Sequence, residues 1–406
     1  MIPVSEAIRI VEEQTTRLPA EVVALTRSRG RALAEDVIAD TDSPPFDRAL
    51  MDGYAVRAAD TAEATAGAPA RLRIVGEAAA GSGWHNALRA GEAVRIMTGA
   101  PVPAGADSVQ QVEVTRELEG GAVVEIERAA QPEQFITKRA TEIRRGEIVL
   151  RTGETLNAAS MAALASFGYT QVRVGARPRV AVLATGTELV EVDKQPGPAQ
   201  IRDSNSYSLL AYAEAAGALV EHLPFAGDEE ELLQRVIARS AKRADMLVLS
   251  GGVSMGIYDF TKTALRALGA EIFFERVSLR PGKPTVFARL GRTLVFGLPG
   301  NPVSVSVTFN LFARTAIRAM QGAQEAALVE EQAVLGRSVK GALERASYLP
   351  AQLRADAGGR LIAEPLRWGG SSDFVAFTRA DALVIVPLGV ATLEADMVVR
   401  VVRLPA

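Results

Sequence analysis

No cysteine occurs in the 406 residues, and there are only two histidines, His85 and His222. The lack of cysteine excludes disulfides, thiolate nucleophiles and Cys-ligated zinc or iron–sulfur centres. Two scattered histidines exclude a histidine-built metal site. Any metal must therefore sit among carboxylates and phosphates, which favours Mg2+ over a transition metal. Long apolar runs are missing as well, and no stretch reaches the roughly 18 residues that a membrane span needs. The opening MIPVSEAIRIVEEQ is an acidic amphipathic pattern without the charged-then-apolar layout of a signal peptide, so the expected location is the cytoplasm. A net charge of -3 lacks the basic excess of a nucleic-acid surface. What remains is globular, 48% hydrophobic and 23% charged, and long enough for two to four domains.

Between 179 and 320, apolar runs alternate with helical patterns. The runs RVAVLAT, ALVEHLPF, DMLVLS, IFFERVSL, TVFARL and TLVFGL read as strands. Helices are expected at 204–216, capped by Ser204 or Asn205 and ended by Gly217, and from Asp228 to Lys242. Two more are expected at 260–268, stopping at Gly269, and from Pro302 to Met320 with Asn301 as cap. This is a doubly wound α/β domain. Residues 40–142 hold short β-like runs broken by Gly/Pro turns and read as a β-rich domain inserted into a mixed domain built from 1–39 and 143–175. A helix capped near Asn157 belongs to the latter. The α/β domain then covers 176–323, and 324–406 is a C-terminal β domain with a hairpin pattern at AQLRADAGGRLIAEPL.

Three carboxylates stand in equivalent places: Glu188 after the first strand, Asp228 after the second and Asp259 after the third. In a parallel sheet those loops open on one edge, where open α/β folds bind ligands. The loop SGGVSMG offers Gly251, Gly252 and Ser254, whose backbone N–H groups can turn toward an oxyanion. RPGKP holds Arg280 and Lys283 between prolines, and GLPGNPVS places Ser304 in the first turn of a helix. Unit charges ~4 Å apart interact by about 4 kcal/mol at an effective dielectric of ~20, so an anion cannot sit among bare carboxylates. A divalent cation reverses that sign. The pattern points to metal-bridged pyrophosphate on one side and an oxyanion pocket on the other. Asp52 in MDGYAVR and Thr98 in MTGAPVPAGAD are further candidates, although an Asp-Gly turn and a plain β connection explain them as well.

Taken together, MDGYAVR, IMTGAPVPAGAD, SGGVSMGIYDFTK, RPGKPT and GLPGNPVS closely resemble the molybdopterin molybdenumtransferase (MoeA) family. The sequence is also similar to the corresponding domain of gephyrin. The resemblance implies a four-part homodimer with a three-layer molybdopterin-binding domain and a C-terminal β-barrel-like domain. Its active site would lie between the α/β domain of one subunit and the β-rich insertion of the other. It implies insertion of molybdate into adenylylated molybdopterin (molybdopterin-AMP) with Mg2+-dependent loss of AMP, and contact with the molybdopterin adenylyltransferase. By position, Asp52, Glu142, Glu188, Asp228 and Asp259 would be the acidic site residues, with Asp228 and Asp259 handling Mg2+ and pyrophosphate. Arg280, Lys283 and Ser304 would receive molybdate, Thr98 would contact the pterin, and Ser371 matches a Gly-Ser near the last domain. The chain departs from the family at Ala140-Thr141-Glu142 (commonly Gly-Glu-Asp), at Thr187 (commonly Asp), at Arg280 (commonly Lys) and after Ser371. These departures leave open a catalytically weakened paralogue that binds molybdopterin or acts as a scaffold. A third reading is another enzyme on the same α/β domain, such as the adenylyltransferase or a nucleotide pyrophosphatase.

Overall fold

The computed structural model describes residues 1–225, 230–252 and 260–405. They form two compact units, one of Met1–Glu35, Thr152–Met161 and Thr170–Ala406, the other of Asp36–Arg151 and Ala162–Tyr169. Among the described residues no helix is long and apolar enough to cross a membrane.

The first unit contains the α/β layer. Its strands are β1 (Arg179–Ala184), β2 (Leu219–His222), β3 (Met246–Ser250), β4 (Glu271–Phe274), β5 (Val286–Leu290) and β6 (Thr293–Leu298), in the spatial order β2-β1-β3-β6-β5-β4. The first four in that order are parallel, and β5 and β4 are antiparallel to their neighbours. Alternation along each strand sends side chains to opposite faces. Val180, Val182, Met246, Val248 and Phe296 join one core, and Ala181, Leu183, Leu247, Leu249 and Val295 the other. Helix α1 (Asn205–Ala215) covers the first face, while α2 (Glu230–Ala241) and α3 (Phe260–Ala267) cover the second. Burial on both faces explains why these strands read as continuous apolar runs. The long helix α4 joins α1 on the first face and consists of Pro302–Thr308, a wider π turn at Phe309–Ala313, and Arg314–Met320.

At two helix starts the expected residues hold the cap positions, but neither side chain makes the cap bond. Ser204 stands at the cap position of α1 without a side-chain cap bond; that bond comes from Asp203, one residue earlier, whose Oδ1 accepts from Ser206 N at 3.0 Å. Asn301 holds the cap position of α4 with extended backbone, but its side chain makes no cap bond and turns to Ser371 instead. The expected start of α2 at Asp228 lies outside the described residues.

Farther along the same unit, β7 (Glu330–Leu335), β8 (Ala346–Ala355), β9 (Leu361–Pro365), β10 (Ala382–Val386) and β11 (Val398–Arg403) close into a five-stranded barrel. Closure runs β8-β9-β7-β11-β10 and back to β8. Leu335, Ala351, Ala363, Val384 and Val401 fill its interior. The short strand Leu279–Arg280 pairs in parallel with Ala346–Ser347 at the start of β8, so the RPGKP loop is joined to the barrel.

The second unit is built on a curled six-stranded sheet that includes Gly53–Val56, Glu92–Ile96, Ala70–Ala78 and Val123–Ile126. Across three of its neighbouring strands, Glu125 stands opposite both Arg71 and Arg116 and pairs with them at 2.9 and 2.5 Å.

Candidate active site

The loops after β1, β3 and β6 meet at one sheet edge, because those strands are parallel and adjacent. They border a cavity of about 690 Å³ lined by Glu188, Asp203, Asn205, Ser250, Gly251 and Phe374, among others. Gly251 has φ +92, and a Cβ there would stand 2.4 Å from the Thr185 carbonyl oxygen. Gly252, at φ +62, would meet the Thr261 and Thr185 hydroxyls at 2.9 and 3.0 Å. Only glycine lets this backbone approach so closely. Glu188 folds back over Gly186, its carboxylate 2.5 Å from where a Cβ would be. Asn205 ties two of the loops together, donating through Nδ2 to Ser250 Oγ at 2.9 Å and to Gly300 O at 2.7 Å. Its Oδ1 is buried and has no hydrogen-bond partner among the described residues.

A second cavity, of about 630 Å³, lies between the RPGKP loop, the first turn of α4 and the barrel. Five cations line it: Arg280, Lys283, Arg337, Lys340 and Arg345. Among the described residues no acidic side chain does. Arg337 donates to Pro365 O at 2.9 Å and lies 3.6 Å from Glu364, while Arg280 makes a long contact of 3.4 Å to Gly341 O. Ser304, 4% exposed, contributes to the lining from the first turn of α4, and Ser371 contributes from the other side. Such a cavity suits a compact polyanion, because like charges that repel one another stay together only at the expense of stability unless an anion offsets them.

Asn301 borders both cavities. Its Nδ2 donates to Ser371 Oγ at 2.9 Å, and Val303 N donates to Ser371 O at 3.0 Å. The 369–373 loop is closed on itself by Asp373, which accepts from Gly369 N at 2.7 Å and from Ala376 N at 3.1 Å. Those backbone donors hold its carboxyl below the ordinary aspartate range.

The RPGKP loop reaches this edge by a route different from that of the other loops. It does not follow a parallel strand. It precedes β5, which runs antiparallel to β6, so Val286 at the start of β5 stands opposite Gly297 near the end of β6. The structure thus brings Glu188 and Gly251 to one cavity edge, with Gly252 packed against Thr185 and Thr261 behind it, and Arg280, Lys283, Ser304 and Ser371 to the next. Asp228, Ser254 and Asp259 lie outside the described residues. Among the described residues no group of three His, Cys, Asp or Glu side chains is placed to hold a metal. Sequence reasoning missed Arg337, Lys340, Arg345, Asn205 and Phe374. The only available signal for the first three was the cationic run GRSVKGALER, which alone reads as a solvated surface.

The remaining candidates lie on the second unit. Asp52 Oδ1 accepts from Thr98 Oγ1 at 2.7 Å and from Thr98 N at 2.6 Å. These bonds, the hydroxyl's foremost, hold the Asp52 carboxyl below its ordinary value. Both Thr98 donors expected to serve a phosphate or ring are therefore engaged with Asp52. Glu142 pairs with Arg48 at 3.0 Å and accepts from Ser43 Oγ at 2.6 Å.

Comparison with known proteins covers nearly the whole chain. Residues 2–168 match the MoeA N-terminal region (domain I and II), 181–319 a probable molybdopterin binding domain, and 332–404 the MoeA C-terminal region (domain IV). The molybdopterin molybdenumtransferase of Bacillus subtilis (strain 168) is 36% identical over 402 residues, covering 98% of this chain and 93% of that protein. Its counterpart in Staphylococcus aureus (strain COL) is 34% identical over 388 residues, covering 96% and 92%. The crystal structure of the molybdopterin biosynthesis moeA protein from Pyrococcus horikoshii OT3 superposes with a TM-score of 0.85 at 27% identity, covering 100% of both chains. Three successive family regions in order, and identity above 30% over nearly the full length, place this chain in the MoeA family.

Proposed function

We propose that this chain is a molybdopterin molybdenumtransferase that inserts molybdate into adenylylated molybdopterin, with Mg2+-dependent release of AMP. The observation that supports this most is the cation-lined cavity with no acidic lining side chain among the described residues, set beside a second cavity of mixed lining at the sheet edge and sharing Asn301 with it. Arg280, Lys283, Ser304 and Ser371 receive the tetrahedral dianion, with Arg345 adding charge from the barrel side. Glu188, together with Asp228 and Asp259, serves the pyrophosphate end. Oxygen donors such as Glu188 and Asp203, in a chain without cysteine, fit a hard cation, and Mg2+ when bound would offset pyrophosphate charge. Hydrolysis of the pyrophosphate linkage takes up one water and leaves one phosphate on the pterin and one on the departing AMP. A chain without cysteine is compatible with molybdenum held by the pterin's own sulfurs.

The same reading carries a cytoplasmic homodimer, contact with the adenylyltransferase, and acidic and pterin-contacting roles for Asp52, Glu142 and Thr98. It also carries the four-part division 1–39 with 143–175, 40–142, 176–323 and 324–406. Pairing of Ala20–Ala24 with Gln171–Gly175 supports a domain built from both sides of the insertion. The non-catalytic alternative is not favoured, because relatives aligned over nearly the full length bear the enzyme's name. Incubation with adenylylated molybdopterin, Mg2+ and molybdate should release AMP and yield metal-loaded pterin. Tight binding without turnover would sink the proposal, and ATP consumption with free molybdopterin would move the chain to the preceding step.

A further inference from the structure

Phe374 is 51% exposed, although it is a large apolar side chain on a short, well-fixed helix, Phe374–Phe377. It lines the 690 Å³ cavity and also a smaller one of about 270 Å³ that Tyr212 and Phe377 border. Its place is set by bonds on both sides. Phe374 N donates to Ser372 O at 3.0 Å, Asp373 caps the helix, and Ser371 is held by Val303 and Asn301. A phenyl ring on a fixed backbone, half-exposed in the lining of a cavity that also holds polar groups, offers a flat apolar face that the core does not use. The same cavity holds Asn205, whose amide orientation is fixed by Ser250 and Gly300 and whose Oδ1 has no hydrogen-bond partner among the described residues.

We propose that Phe374 is the stacking residue for a planar fused nitrogen heterocycle of the substrate, with Asn205 meeting the ring's polar edge. The cavity is within the size range of small-molecule sites, and aromatic faces take any fused ring by stacking. The loop then addresses two parts of one ligand: Ser371 faces the cation-lined cavity, and Phe374, three residues on, faces the ring. This rests on the functional reading above, in which the substrate carries two such rings, a pterin and an adenine.

Calorimetric titration of the wild-type chain, Phe374→Ala and Phe374→Trp tests it, with AMP, pterin-6-carboxylate and ribose 5-phosphate as probes. Phe374→Ala should weaken binding of one ring by roughly 5- to 150-fold, the range that base–aromatic stacking gives. Ribose 5-phosphate binding should not change, and Phe374→Trp should keep the wild-type affinity for the ring. Loss in the AMP arm assigns the adenine, and loss in the pterin arm assigns the pterin. Equal affinity of Phe374→Ala and wild type for both rings overturns the inference, as does binding of neither ring by the wild type. So does a change confined to oligomeric state on size-exclusion chromatography, which would make Phe374 a protein contact. AMP release from adenylylated molybdopterin by the wild type is measured in parallel. Its failure counts against the functional reading, whereas unchanged ring binding with AMP release intact counts against Phe374 alone.

Discussion

Replacing Lys283 by alanine removes one positive charge from the cation-lined cavity, where no carboxylate among the described residues pairs with it. A unit charge ~4 Å from a dianion gains about 8 kcal/mol at an effective dielectric of ~20. Stripping water from both groups offsets most of that, and a hydrogen bond to a charged group contributes about 1.5–3 kcal/mol net. The expected result is a rise in the molybdate KM of about 10- to 150-fold. Four other cations stay in place, so binding weakens rather than vanishes. Lys283→Arg keeps the charge and should recover most of the affinity, and added salt should raise the wild-type KM. The assay is the initial rate of metal-loaded pterin formation against molybdate concentration, with thermal melting as the control for folding. A Lys283→Ala enzyme that melts normally with a molybdate KM within about twofold of wild type, below the penalty expected from a charged hydrogen bond, would refute the assignment of this cavity.

Gly251→Ala forces a side chain onto φ +92 and a Cβ to 2.4 Å from the Thr185 carbonyl oxygen. It should cost at least about 1–3 kcal/mol and lower the melting temperature by several degrees in calorimetry. Ser371→Ala removes the acceptor of Asn301 Nδ2 and one polar group from the cation-lined cavity, and should raise the molybdate KM by roughly 2- to 10-fold in steady-state kinetics. Asp52, depressed by Thr98, contributes stability that is fully present above the unfolded pKa and is lost as pH falls through the folded one. The second unit should therefore loosen below about pH 4, and hydrogen exchange should show that acid-sensitive component missing in Asp52→Asn.

The parallel part of the sheet was legible because strands buried on both faces leave unbroken apolar runs such as DMLVLS. Strand direction was not legible in TVFARL, where an antiparallel strand carries the same apolar pattern and still brings the preceding loop to the right edge. The cap position of α1 was legible at Ser204, but the side chain that makes the bond was not, because Asp203, Ser204 and Asn205 are all good acceptors in sequence and only the fold chooses Asp203. Thr98 shows the opposite limit. Its hydroxyl looked available in a loop, yet Asp52, 46 residues earlier, takes both its donors. Arg337, Lys340 and Arg345 were out of reach for a topological reason. They become site residues only when the barrel closes and Leu279–Arg280 pairs with Ala346–Ser347.

The most direct test of the account is anomalous diffraction from crystals soaked in molybdate at a concentration that supports turnover. The account predicts a molybdenum peak in the cation-lined cavity, with its oxygens about 3 Å from the polar atoms of Lys283, Ser304 and Ser371. A single strong peak elsewhere in the chain, with that cavity empty, would contradict it.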